Sequence, residues 1–155
     1  MRDVKDRIRG NCTLRAFACA AIMTAVTACD ERIHSTYASY AEAERSGLVK
    51  RGWVPQFVPE SASDISDTHD LDTGAQIFEF SAPERALRSM DRLGAAVTPA
   101  DAQAAQTLIS AHGFSPGALV RIICAEPRDG ALLIDFRSGR AAYNTEIRWA
   151  DDDCS

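Results

Sequence analysis

Aromatic side chains are scarce, 7% of 155 residues, and no excess of basic charge is present: Lys and Arg number 17 against 22 Asp and Glu, a net charge of −5. That balance excludes a nucleic-acid partner, because phosphate binding draws on clustered Lys and Arg. The chain also lacks an apolar run of the roughly 20 residues that a membrane-crossing helix needs. Its three histidines, His34, His69 and His112, stand apart, and its five cysteines lack the short spacings of a zinc site. No metal and no cofactor is therefore expected. What is present, 46% apolar and 25% charged residues without internal repeats or a linker, suits one globular domain.

The N-terminal segment reads as an address. Arg2, Lys5, Arg7, Arg9 and Arg15 outweigh Asp3 and Asp6, and the apolar stretch Ala16 to Ala28 follows, too short to span a bilayer and suited to a signal-peptide core. It ends in Val26, Thr27, Ala28 and Cys29, which resembles the lipobox of bacterial lipoproteins. The resemblance implies cleavage before Cys29, a diacylglycerol on its thiol and acylation of the new amino group. Two or three chains anchor stably, since each buried CH₂ contributes about 0.8 kcal/mol. An ordinary signal peptide or an uncleaved anchor is the alternative. The expected division is residues 1–28 as signal, 29–35 as a lipid-anchored tether reaching about 20 Å, and 36–155 as the domain. Asp30 resembles the signal that retains lipoproteins of enteric bacteria in the inner membrane.

Cleavage removes five basic and two acidic side chains along with Cys12 and Cys19, leaving twelve basic against twenty acidic and a net charge of −8. Such a domain is expected to stand off from anionic lipid. Cys124 and Cys154 remain as thiols in an oxidising compartment, and a bond between them would contribute roughly 3 to 4 kcal/mol. A free Cys124 and an intermolecular bridge stay open beside it.

The elements follow from pattern. Ser39 with Glu42 has the spacing of a capping box and Gly47 that of a stop, which predicts a helix over Tyr37 to Ser46. Residues 51–74 carry Pro55, Pro59 and many Ser and Asp, so an irregular stretch is expected, with a helical turn around Ser63 to Asp67. Gln76 to Phe80 alternates as a strand. Helices are predicted from Ser81 to Gly94, with Ala86, Leu87, Met90 and Leu93 inward, and from Thr98 to Gly113, with Ala104, Ala105, Leu108 and Ile109 inward. Leu119 to Ala125, Ala131 to Arg137 and Ala141 to Ile147 form a meander. The expected fold is α+β: a four-stranded, mostly antiparallel sheet built of one strand, two helices and then a three-stranded meander, with the helices on one face.

Three motifs, GLVKRGWVP ending at Pro55, PESASDI ending at Ile65 and HDLDT from His69 to Thr73, resemble a family of small bacterial lipoproteins with Arg-Gly-Trp-x-Pro, Ser-Ala-x-Asp-Ile and His-Asp-Leu-Asp-Thr patterns, the one labelled YbbD head domain-like. The resemblance runs from Tyr37 to Phe80. It implies a shared fold and a membrane address, and no activity.

Read from the residues, Gly52 permits a backbone angle beside bulky Trp53, which is expected to pack over the sheet edge with Pro55. Arg51 is a candidate to pair with an aspartate. His69, Asp70 and Asp72 are expected to organise an Asx turn, with the histidine partly exposed. Arg51, Trp53, Asp64, His69, Asp70 and Asp72 mark the candidate interaction loop, since loops on a rigid scaffold usually carry recognition. No catalytic residue is assigned. The calcium-loop likeness of Asp70, Asp72 and Gly74 fails because Ser81 stands where the bidentate Glu belongs. The leading expectation is a non-catalytic, lipid-anchored envelope module facing the periplasm and binding a partner near the membrane. One alternative is an inhibitor or immunity-type protein whose charge steers a cationic hydrolase or toxin. The other is a metal-dependent hydrolase built on Asp64, Asp67, His69, Asp70 and Asp72.

Overall fold

The computed structural model describes residues 32–124, 129–147 and 149. The signal segment, Cys29, Cys154 and the acidic stretch at 151–153 lie outside the described residues, as does the first half of the turn expected at Pro127. Seven strands form one antiparallel sheet: β1 (Arg32–Ser39), β2 (Ser63–Asp70), β3 (Gln76–Ser81), β4 (Ala95–Ala96), β5 (Leu119–Ile123), β6 (Gly130–Asp135) and β7 (Arg140–Asn144), in the order β1-β2-β3-β7-β6-β5-β4. Among the described residues three helices accompany it: α1 (Tyr40–Arg45), α2 (Glu84–Met90) and α3 (Ala102–Ala111). Among the described residues no helix is long and apolar enough to cross a membrane.

This corrects the expected fold. The sheet has seven strands instead of four, the architecture is mostly β, and the helices do not share a face. Side chains alternate across a strand, so the two faces can be read from neighbours in β6 and β7. Leu132, Ile134, Ala141 and Tyr143 join Ile65, Phe78 and Phe80 beneath Ala43 of α1, Leu87 and Met90 of α2, and Leu48, Val54 and Val58 of the segment 46–62. Ala131, Leu133 and Ala142 point the other way and meet Ala105, Leu108 and Ile109 of α3. The apolar stripe of a helix states that it packs, not against which side of a sheet.

The missed strands have a physical reason too. In β2 the inward positions are Ile65, Asp67 and His69, and the strand is rich in Ser, Asp and Thr, so its period-two pattern does not register as apolar alternation. The helical turn expected over Ser63 to Asp67 is therefore strand. In β1 the alternation is weak, because the strand lies at the sheet edge and its residues are exposed or half-buried. Tyr37 to Ser39, expected as helix, belong to β1. The cap itself is where the spacing put it: Ser39 Oγ accepts from the Glu42 amide at 3.3 Å, and Glu42 Oε2 accepts from the Ala38 amide at 2.7 Å. Arg32 to Ser35, assigned to the tether, are also strand. The second helix begins after Pro83 without a side-chain cap, and Ser81 closes β3 instead of opening the helix.

Candidate functional site

β2 delivers Asp67 and His69 to one face two residues apart, and the antiparallel register sets Gln76 of β3 beside His69. All three are buried. His69 Nδ1 donates to Asp67 Oδ2 at 2.6 Å, and the Gln76 amide nitrogen donates to Asp67 Oδ1 at 2.6 Å. Both carboxylate oxygens are thereby satisfied, as a buried charge requires. The same Gln76 nitrogen spends its other hydrogen on the Trp53 carbonyl at 2.5 Å. Trp53 then lays its indole on the His69 ring, centroids 3.8 Å apart and planes 18° from parallel. Gly52 precedes it at φ +81°, a left-handed angle that glycine adopts without steric cost.

The network ties the segment 46–62 to the sheet through one stack and one main-chain hydrogen bond. Burial pushes the Asp67 carboxyl above its ordinary range, with the Gln76 and His69 hydrogen bonds opposing that shift. A carboxylate bonded to Nδ1 fixes the imidazole tautomer and leaves Nε2 as the acceptor, which is how histidine bases and ligands are oriented. His69 Nε2 makes no hydrogen bond to the described residues. Ser35 faces Asp67 from β1 but is not bonded to His69. Among the described residues no group of three His, Cys, Asp or Glu side chains is arranged to hold a metal ion.

The expected site residues separate into different roles. Trp53 and His69 meet in the buried network, and His69, expected to be partly exposed, is 4% exposed. Asp70 organises the turn after β2: its Oδ1 accepts from the Asp72 and Thr73 amides at 3.0 and 2.7 Å. These bonds, the Thr73 amide foremost, hold its carboxyl below the usual range. Asp72 is exposed on that turn. Asp64 sits at φ +48° where the β2–β3 register shifts, the signature of a bulge, and is exposed. Arg51 pairs with no aspartate among the described residues; its guanidinium donates to the Ser46 carbonyl at 3.1 Å.

As a site residue Gln76 is not singled out by the sequence, and Asp67 is named only within the hydrolase alternative, not as the partner of His69. A signal existed, since Ile65, Asp67 and His69 recur every second residue, and a carboxylate two positions before a histidine shares its face on a strand.

A second histidine–carboxylate pair occupies the opposite face. His112 Nδ1 donates to Glu79 Oε1 at 2.6 Å, and Asn144 Nδ2 donates to His112 Nε2 at 3.2 Å. Arg140 lies 3.6 Å from the other Glu79 oxygen. The His112 hydrogen bond, opposed by burial and helped by Arg140, holds the Glu79 carboxyl below its ordinary value. Both ring nitrogens are satisfied, so this pair fastens the end of α3 to β3 and β7.

The fold and site together define a helix-flanked antiparallel sheet in which two sequence motifs close on each other: Trp53 of the Arg-Gly-Trp segment and His69 of the His-Asp-Leu-Asp-Thr segment. The family model of the YbbD head domain matches residues 31–81, which holds β1, α1, the braced segment, β2 and β3. The match covers about a third of the chain, and the three motifs that carry the resemblance all fall within it. No curated protein and no solved structure matches.

Proposed function

We propose that the protein is a lipid-anchored component of the bacterial cell envelope whose domain is a non-catalytic interaction module. The observation that carries the module reading is the brace: Trp53, His69, Asp67 and Gln76 satisfy one another and hold the segment 46–62 on the sheet. Arg51, Gln56 and Glu60 remain exposed on it. A segment of successive hydrogen-bonded turns held this way is already ordered, which lowers the ordering cost of recognition. Anchoring is supported by the Val26 to Cys29 lipobox, and the periplasmic orientation by the basic flank that precedes it. Cys124, exposed just after β5, is disulfide-bonded, and the partner we propose for it in that compartment is Cys154, on the cysteine count that cleavage leaves. The mature charge of −8 favours a cationic partner, the property that an inhibitor of a basic hydrolase or toxin would use.

The test is site-specific photo-crosslinking in native membranes from Gln56 and, as a control, from Ser138 in the exposed turn between β6 and β7. Capture from Gln56 that is lost on Trp53→Ala, while the Ser138 background is unchanged, supports the module. Equal capture from both positions contradicts it. So does a rise of several degrees in melting temperature with calcium, zinc or manganese that Asp72→Ala abolishes, since a ligand stabilises only the state it binds.

A further inference from the structure

One end of the sheet gathers the start of β1, the turn joining β2 to β3, the end of β7, the start of β6 and the end of β5. Among the described residues the exposed large hydrophobic side chains both lie at this end: Ile33, 41% exposed, and Leu71, 53% exposed. Ile33 stands opposite His69 across the β1–β2 pair, and Leu71 follows two residues after His69. Half-buried Trp53 stacks on that same histidine. Two exposed aliphatic side chains and a half-buried indole thus lie at a single end of the molecule.

We infer that this end is a membrane-contacting surface, with Ile33 and Leu71 set into the headgroup and acyl boundary of the bilayer and Trp53 beside them at headgroup depth. The inference rests on the proposed anchor at Cys29. Only Asp30 and Glu31 separate that residue from Arg32, so three virtual bonds of at most about 3.6 Å each keep the start of β1 within about 11 Å of the acylated cysteine. The tether of about 20 Å expected from the sequence is not available, because its second half is strand. An anchored domain held this closely must present the end that carries β1's first residues to the lipid, and that end carries the exposed apolar side chains.

Charge at this end fits a neutral surface better than an anionic one. Arg32 pairs with Glu146 at 3.0 Å, and the Asp70 carboxylate is turned onto its own turn's amides. Asp72 and Asp129 stay exposed. The contact is therefore apolar, made to a zwitterionic leaflet, and anionic lipid weakens it. Trp and Tyr favour the membrane interface because the ring is apolar and its edge is polar.

The experiment uses the full lipidated protein in phosphatidylcholine vesicles carrying a spin-labelled acyl chain. Leu71→Trp is compared with Arg137→Trp, placed at the far end of the sheet, and both with the unsubstituted protein, whose own indoles set the baseline. Expected is at least a twofold greater loss of the added emission for Leu71→Trp than for Arg137→Trp, reduced when a third of the lipid is phosphatidylglycerol. In the unsubstituted protein the amides of 71–74 exchange more slowly with vesicles than in detergent-free lipid-poor buffer. Equal quenching at both positions with unchanged exchange overturns the contact, and a cross-link joining two copies through this turn would give the surface to a second copy instead. The mass of the N-terminal peptide in the same sample separates the two failures: acylated Cys29 without quenching sinks the contact alone, and an unacylated Cys29 sinks the anchor and the contact together.

Discussion

The indole of Trp53 lies flat on the imidazole of His69, 3.8 Å between centroids, while the Trp53 carbonyl accepts from Gln76, which also donates to Asp67. One residue therefore supplies both a stacking surface and a main-chain acceptor to a network built by two strands. Trp53→Ala removes the surface and exposes the buried pair to water, while Leu48, Val54 and Val58 keep the rest of the segment 46–62 on the core. The expected loss is about 2 to 3 kcal/mol, below that of a fully buried tryptophan because the ring is half-exposed. It is read as a lower urea midpoint at unchanged slope. Trp53→Phe keeps a stacked ring and recovers more than half of the loss.

The carboxylates give opposite signs of pH dependence. Burial raises the Asp67 pKa above 3.8, so the folded state holds that proton more tightly than the unfolded chain. Its contribution is fullest below the ordinary value and is lost as pH rises through the raised one. Glu79 lies below 4.5, chiefly through the His112 hydrogen bond, and Asp135 lies well below 3.8. At Asp135 burial acts upward but is outweighed by donors from Ser115, Ser138 and Arg137. These two contribute stability above the unfolded values that disappears as pH falls through the folded ones. Asp135→Asn is expected to cost about 2 kcal/mol at neutral pH and to flatten the acid limb. Asp67→Asn is expected to remove the opposing slope, measured by denaturant titrations from about pH 3 to pH 7.

Two glycines with nearly the same backbone angle predict different outcomes. At Gly94, φ +61°, an added Cβ would lie 1.9 Å from the Ile122 carbonyl oxygen, so β4 could not stay against β5. At Gly113, φ +63°, nothing lies within 4 Å. Gly113→Ala should cost about 1 kcal/mol, the left-handed penalty alone, and Gly94→Ala well over 2 kcal/mol. Thermal melts of the two variants side by side check the difference.

The proposed bond between Cys124 and Cys154 closes a loop of about 30 residues, worth roughly 3 to 4 kcal/mol in the chain-entropy model. Reductant should lower the melting temperature by about 10 °C, and Cys154→Ser should melt there with or without reductant. Equal melting of the oxidised and reduced protein would contradict the pairing.

Where apolar residues do the packing, the chain's pattern could be read: β3 from Phe78 and Phe80, β5 to β7 from their alternation, α3 from Ala105, Leu108 and Ile109. Where polar residues face inward it could not. Asp67 and His69 make β2 look like a turn-rich loop, although they are its core-facing positions. The same disguise hid the site: read as an irregular stretch, residues 51–74 give Asp67 and His69 no shared face, whereas on a strand two positions apart they point the same way. The placement of α2 and α3 on opposite faces depends on the crossing of the chain between strands, which no local period encodes.

The chemistry of residue 29 decides whether the domain is held at a membrane at all. Intact mass spectrometry of the native protein recovered from membranes should give a chain beginning at Cys29 and heavier than the polypeptide by two or three acyl chains and a glyceryl group. A chain that retains Met1 to Ala28 and is recovered from the soluble fraction without added mass would contradict it.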